Sequence, residues 1–217
     1  YEAYLATVKE KLGKKRIALS FDDGPRAETT PKVLEILKKY NAHATFYIVG
    51  SHVEGNEALV QQVVAEGHEL GDHSYSHPQL TKKSADEVYQ EVHKTSDLIA
   101  KATGGLRPMS LRPPYGAFDK MVAEQAGIAI VNWSIDSYDW KYRDAAKTIE
   151  RVKETAHNGG ILLMHDIHEE SVEALPTIIE YLQGEGYELV TVTELMGDQP
   201  LQPNHVYFDR VEHKQIQ

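Results

Sequence analysis

The chain contains no cysteine. That excludes disulfides, zinc–thiolate sites and cysteine nucleophiles together. The absence fits the cytosol, and equally fits bacterial proteins that work outside the cell without disulfides. Positive charge is also scarce: 23 Lys and Arg face 33 Asp and Glu, for a net charge of −10. A nucleic-acid binder shows a basic balance or a basic stripe, so no nucleic-acid partner is expected. No run of about 18 apolar residues occurs, and therefore no membrane contact is expected within this sequence. Repeats, low-complexity tracts and linkers are missing too. The first residue is Tyr1 rather than Met, which reads as a fragment whose signal or anchor segment lies upstream.

What is present suits one large domain: 217 residues, 41% of them apolar. Strand-like and helix-like segments alternate. Tyr1 to Leu12 reads as a short helix or the end of a linker. Ile17 to Phe21 is a buried strand, and a helix runs from Thr30 to Tyr40 with Thr30 as N-cap and Pro31 at its first position. Ala44 to Val49 is a strand, Asn56 to Glu66 a helix, Glu69 to Gly71 a short strand. Ser84 and Glu87 form a capping box that opens a long helix ending near Gly104. Met109 to Leu111 (strand), Asp119 to Ala126 (helix) and Ile128 to Ser134 (strand) follow. Arg143 to Ala156 (helix), Gly160 to Met164 (strand), Val172 to Gln183 (helix) and Leu189 to Val192 (strand) complete the pattern. Such alternation implies parallel strands with crossover helices, hence an α/β barrel, closed or incomplete. A doubly wound open sheet is the alternative. The expected division is an N-terminal extension over 1–16, a catalytic domain over 17–198 and a tail over 199–217 that packs on the domain.

Five polar clusters fall where strands end: Asp22-Asp23, His73 to His77, Arg112 to Gly116, Asp136 to Trp140, and His165 to His168. In parallel α/β folds that end of the sheet carries the active site. Singly, each has an ordinary reading: a solvated acidic turn, a chance pair among 11 histidines, a stiff proline loop. Together they make a chemical set. Adjacent residues on extended backbone point in opposite directions, so one aspartate can ligate a metal while its neighbour faces substrate. Spacing does not say which does which. His73 and His77 are four apart, as two imidazoles on one helical turn would be, although Pro78 limits a helix there. Two histidines and one carboxylate form a ligand set for a divalent cation with open positions. Arg112 and a backbone N–H are presented by a rigid Pro-Pro loop. His165 reads as a proton donor, Asp139 as an orienting acid, and Trp140 as a pocket wall.

In this order, SFDDGP, HSYSH, RPPYG, DSYDW and LMH resemble the motifs of the polysaccharide deacetylases, the family 4 carbohydrate esterases with a NodB-like domain. The likeness covers Ile17 to about Leu195, and other stretches resemble most the peptidoglycan N-acetylglucosamine deacetylases of Gram-positive bacteria. Two positions depart from the pattern: Ser20 stands where Thr is common, and Asp72 where Asn is common. The resemblance implies a distorted (β/α)7–8 barrel and one divalent metal ion, usually zinc, with cobalt also suited. By motif, Asp23, His73 and His77 would hold the metal and Asp22 would be the base. Arg112 would hold Asp22, the Tyr115 N–H would face the oxyanion, and Asp139 would tune the acid His165. Trp140, Leu163, Pro113 and Tyr138 would contact substrate.

The activity implied is hydrolysis of N-acetyl groups on a polysaccharide containing N-acetylglucosamine, by a monomer at the cell surface or wall. Chitin oligomers, poly-N-acetylglucosamine and acetylated xylan are alternative substrates. An inactive carbohydrate-binding domain is the non-enzyme alternative. Glycosidase chemistry is disfavoured, since its paired acids stand about 5 to 9.5 Å apart across a sugar rather than on adjacent residues. The other histidines (His43, His52, His68, His93, His157, His205, His213) read as structural or exposed, and His168 receives no role.

Overall fold

The apolar run after Arg16 is buried on both faces, as a central parallel strand must be. The computed structural model describes residues 13–217, so the segment Tyr1 to Leu12 lies outside it. In chain order the elements are β1 (Arg16–Asp22), α1 (Thr30–Lys39), β2 (Thr45–Ile48), α2 (Glu57–Ala65), β3 (Glu69–Asp72) and α3 (Ala85–Thr103). Next come β4 (Ser110–Leu111), α4 (Lys120–Ala126), β5 (Ala129–Val131), β6 (Ile135–Asp136), α5 (Asp139–Tyr142) and α6 (Ala145–Thr155). The last are β7 (Ile161–His165), α7 (Glu169–Gly184), β8 (Glu188–Val190), α8 (Val192–Met196), β9 (His205–Tyr207) and β10 (His213–Gln215).

One sheet runs in the order β10-β9-β5-β4-β3-β2-β1-β7-β6, and β8 pairs with the first residues of β1. Every pairing is parallel except β9 with β10. Only Asn132–Ser134 separates β5 from β6, yet these strands lie towards opposite ends of that order. Three residues span roughly 10 Å at most, so the sheet has to curl until its far strands approach each other. The result is a curled half-barrel of mostly parallel strands.

Period-two alternation sorts each strand into an outer and an inner face. Ile17, Leu19 and Phe21 pack outward with Phe46, Ile48, Leu162 and Met164 under α1 and α7. Ala18, Tyr47, Val131, Ile161 and Tyr207 form a second cluster on the other side. Ser20 and Asp22 share the parity of Ala18, so the charged end of β1 faces the barrel interior. The helices follow from their sequences. α1 buries Val33, Leu34 and Leu37 at helical spacing. α3 begins with the expected capping box, Ser84 N–H donating to Glu87 and Glu87 N–H to Ser84 Oγ, and stops at left-handed Gly104.

Four expectations are corrected. The single strand over Ile128 to Ser134 is two strands on separate parts of the sheet. Between them Asn132 N–H bonds the Tyr207 carbonyl while Ser134 N–H bonds that of Ile161. The helix over Arg143 to Ala156 starts later, because Arg143 is left-handed (φ 46) and Asp144 caps α6 through Lys147 N–H. The helix over Val172 to Gln183 starts earlier, at Glu169. Thr29, not Thr30, occupies the N-cap of α1; the Thr30 hydroxyl turns instead to buried Asp166. Beyond residue 198, β9 joins β5 and β10 joins β9.

Gly71 of β3 lies under the Tyr47 ring, and a Cβ there would overlap ring atoms. Tyr47 is fully buried and has nowhere to swing. Gly71→Ala is expected to cost about 1–3 kcal/mol of stability, as overpacked cores do, read as a lowered urea midpoint.

Candidate active site

Asp22 is the last residue of β1, and Asp23 follows at φ 77. That left-handed turn separates the two carboxylates. Asp23 Oδ1 stands 3.2 Å from His73 Nε2 and 3.2 Å from His77 Nε2. One ligand atom from each of Asp23, His73 and His77 lies within 4.8 Å of the others. The i,i+4 pair does not sit on a helical turn, in keeping with the limit set by Pro78: His73 leaves β3, Ser74 (φ 66) and His77 (φ 61) are left-handed, and the loop brings the second imidazole back over the first.

The donor set fits a divalent cation on its own geometry. Asp23 Oδ1 is buried without an aligned hydrogen bond, although two imidazole nitrogens face it. His73 Nδ1–H donates to the Arg112 carbonyl at 2.6 Å, which leaves the Nε2 lone pair free for a ligand. His52 Nδ1–H donates to the Asp23 carbonyl at 2.8 Å and fixes the turn from outside. Burial opposes ionisation of Asp23, but His73 and His77 beside it hold the carboxyl well below the usual range.

Asp22 is held from the barrel interior. Arg112 follows β4 and has no exposed surface. Its Nη1 donates to Asp22 Oδ1 at 2.9 Å and to Ser20 Oγ at 2.8 Å. Nε donates to the Val131 carbonyl and Nη2 to that of Asn132, at 3.1 and 2.8 Å. The guanidinium lies 4.2 Å above the Tyr47 ring. Asp22 Oδ2 is left facing His73 Nε2 at 3.6 Å. Ser20, where threonine was the more common residue, supplies its hydroxyl to this arrangement. Asp72, where asparagine is the more common residue, accepts from Ser74 N–H and the Ser96 hydroxyl, and burial pushes its carboxyl up to about 7.

His165 ends β7 and is the register partner of Asp22. Its Nδ1–H donates to Asp139 Oδ1 at 2.8 Å, and its Nε2 stands 3.8 Å from Asp23 Oδ2. Asp139 Oδ2 also accepts from His165 N–H and the Ser171 hydroxyl, both at 2.7 Å. Burial disfavours the imidazolium, yet Asp139 outweighs it and pushes His165 up to about 9.

A cavity of about 440 Å³ opens over these groups, lined by Asp22, Asp23, His73, His77, Tyr115 and His165 with Trp140 and Leu163. Trp133 and Asp136 line it as well, although sequence reasoning assigned neither a role. Tyr115 is left-handed at φ 63 and 71% exposed, standing 5.0 Å from the His77 ring. Pro113 and Tyr138 are not in the lining; Tyr138 is gripped by Arg151 at 4.5 Å and by Tyr142. Arg112 and Asp139 stand behind the residues they orient. His168 is next to His165 with rings 5.8 Å apart. Ser171 and His52 carried no sequence signal, because each acts through a partner remote in the chain.

A family profile described as polysaccharide deacetylase matches residues 9–131, more than half of the chain. The chain belongs to the polysaccharide deacetylase family. The peptidoglycan-N-acetylglucosamine deacetylase PgdA of Listeria monocytogenes is 46% identical over 202 residues, 93% of this chain and 43% of that protein. This deacetylase domain therefore spans less than half of that relative. The solved structure of peptidoglycan deacetylase PdaC from Bacillus subtilis matches with a TM-score of 0.82 at 41% identity, covering 85% of this chain and 91% of that one. A family 4 acetyl xylan esterase from Clostridium thermocellum, solved with a cobalt ion, matches with a TM-score of 0.80 at 35% identity over 84% of this chain and 90% of that one.

In the metal-free protein, His165 is expected to remain imidazolium through neutral pH and to lose its proton as pH rises through about 9. Its raised pKa makes a stabilising contribution that is complete below about 6.5 and is lost across that rise. Asp139→Asn removes the closest charge and keeps the burial, so the ring should titrate well below 9, with only Asp22 and Asp23 left to favour the charged form. An NMR titration of the His165 ring measures this directly, and a value still near 9 in the variant would refute the pairing.

Proposed function

We propose that this domain is a metal-dependent de-N-acetylase acting on N-acetylglucosamine residues of cell-wall peptidoglycan, outside the cell. The observation that carries the reading is the convergence of two imidazole nitrogens on one buried, unsatisfied carboxylate oxygen, with Asp22 and His165 beside it at the ends of adjacent strands. Asp23, His73 and His77 would hold a divalent cation, which would supply Lewis-acid chemistry at the scissile amide. Two nitrogens and one carboxylate suit zinc best, and the cobalt-bearing esterase supports a site open to either ion.

The chain's own groups account for the proton movements. Asp22 takes a proton from the attacking water, with one oxygen fixed by Arg112 and the other free towards the cavity. As the acetyl carbon becomes tetrahedral, the Tyr115 N–H donates to the oxyanion; one such donor is typically worth about 3 kcal/mol. His165 then gives its proton to the departing nitrogen as the C–N bond breaks. Acetate and a free sugar amine result. Trp140, Leu163 and Trp133 form the apolar wall against which the acetyl methyl rests.

Amide rather than ester cleavage is favoured by the His165–Asp139 pair. An amine is a poor leaving group and needs a donor that stays protonated while a nearby acid is ionised. The relative named for peptidoglycan N-acetylglucosamine supports that polymer over xylan. Every group named comes from one chain, which suits a monomer.

Asp22→Asn is expected to lower turnover by at least about 100-fold while metal still binds, and His77→Ala to lose both. His165→Ala should slow acetamides far more than activated acetate esters; equal slowing would remove it as the acid. Product analysis on muropeptides and chitooligosaccharides, with and without chelator, tests the substrate. Turnover confined to chitooligosaccharides, or indifferent to chelator, would overturn the corresponding part of the reading.

A further inference from the structure

The loop from His73 to His77 has no regular structure, yet it must deliver two imidazoles to one point. Left-handed residues such as Ser74 and His77 persist only where their surroundings over-determine them. The carbonyls of Ser74 and Tyr75 accept from Gly50 and Ser51 N–H, both at 2.9 Å. Ser74 N–H donates to Asp72 at 2.8 Å. The next two N–H groups, of Tyr75 and Ser76, both donate to Glu91 Oε2 at 2.9 and 2.8 Å. The Ser76 hydroxyl donates to Glu91 Oε1 at 2.7 Å. Glu91 lies on α3, outside all five motif clusters. The same helix sets Lys94 over the Tyr75 ring at 3.5 Å and gives the Ser96 hydroxyl to Asp72 at 2.9 Å.

We propose that Glu91 is a positioning residue for the metal centre. Its carboxylate ties down both peptide N–H groups midway between the two histidine ligands, so the imidazoles are set before a cation arrives. The cation class is the divalent ion suited to two nitrogens and one carboxylate. This rests on the reading of Asp23, His73 and His77 as the ligand set.

The test is titration of the purified protein with Co²⁺, reading ligand-field absorbance and competition with a chelator. Glu91→Ala is expected to weaken Co²⁺ binding by about 10–100-fold, the usual effect of losing an outer hydrogen-bonding partner, and to alter the band shape. Glu91→Gln should stay within about threefold of wild type, since its amide oxygen can take both N–H groups and its NH₂ can donate to the Ser76 hydroxyl. Glu87→Ala serves as the control: it removes the capping box of the same helix, lowers thermal stability and should leave Co²⁺ affinity unchanged. Unchanged affinity in Glu91→Ala overturns the proposal. So does an equal loss in Glu91→Gln, which would point to charge, or in Glu87→Ala, which would point to general loosening. Failure of the wild-type protein itself to bind Co²⁺ would remove the ligand-set reading on which the proposal stands.

Discussion

A guanidinium with no exposed surface sits inside the half-barrel, and much of the site is arranged around it. Taking such a charge out of water costs several kcal/mol after relaxation, so it persists only where acceptors meet it. Arg112 has four hydrogen bonds and an aromatic face. Its acceptors belong to β1 on one hand and to Val131 and Asn132 on the other. In a flat sheet β4 and β1 would lie about 14 Å apart, three strand spacings, farther than an arginine side chain extends. The curl of the sheet is what lets one cation reach both. Fold and site therefore constrain each other: the same hydrogen bonds that satisfy a buried charge also aim one oxygen of Asp22 inward and leave the other at the cavity.

The groups above that cation divide by the kind of backbone that carries them. Asp22 and His165 end adjacent parallel strands and are register partners, so rigid hydrogen-bonded backbone sets their separation. The cavity loops are different. Among the described residues, five of the eight left-handed non-glycine positions fall in the motif clusters: Asp23, Ser74, His77, Tyr115 and Tyr138. Each costs on the order of 1 kcal/mol or more and is retained by its neighbours. Asp23 is held by His52, the histidine loop by the Gly50–Ser51 N–H groups and Glu91, and the Tyr115 loop by Asn132, whose side-chain N–H donates to the Gly116 carbonyl at 3.0 Å. Strain of this sort places a side chain where regular structure would not.

Electrostatically the site sets two acids to opposite uses. Asp139 is buried and spends both oxygens on His165, Ser171 and backbone N–H groups, which keeps the imidazole charged into the alkaline range. Asp23 is faced instead by imidazole nitrogens of His73, His77 and His165, and its Oδ1 accepts no aligned hydrogen bond. What sets that oxygen apart is the pair of imidazole nitrogens facing it, a donor set whose chemistry suits a divalent cation.

Much of this was legible in the chain before any coordinates. Strand–helix alternation fixed a parallel sheet, and the placement of polar clusters after apolar runs put Asp22-Asp23, His73, Arg112, Asp139 and His165 on one rim, because strand direction decides which end of a parallel sheet a loop leaves. Tertiary structure alone decided the rest. That Ile128 to Ser134 breaks into two strands, that residues 205–207 extend the sheet, and that the sheet curls far enough for Arg112 to reach β1 past the two strands between them all depend on contacts between distant segments. Local periodicity carries no record of those contacts. Glu91 and Ser171 were invisible for the same reason: an acid and a hydroxyl on amphipathic helices look like ordinary polar positions until the fold brings a loop against them.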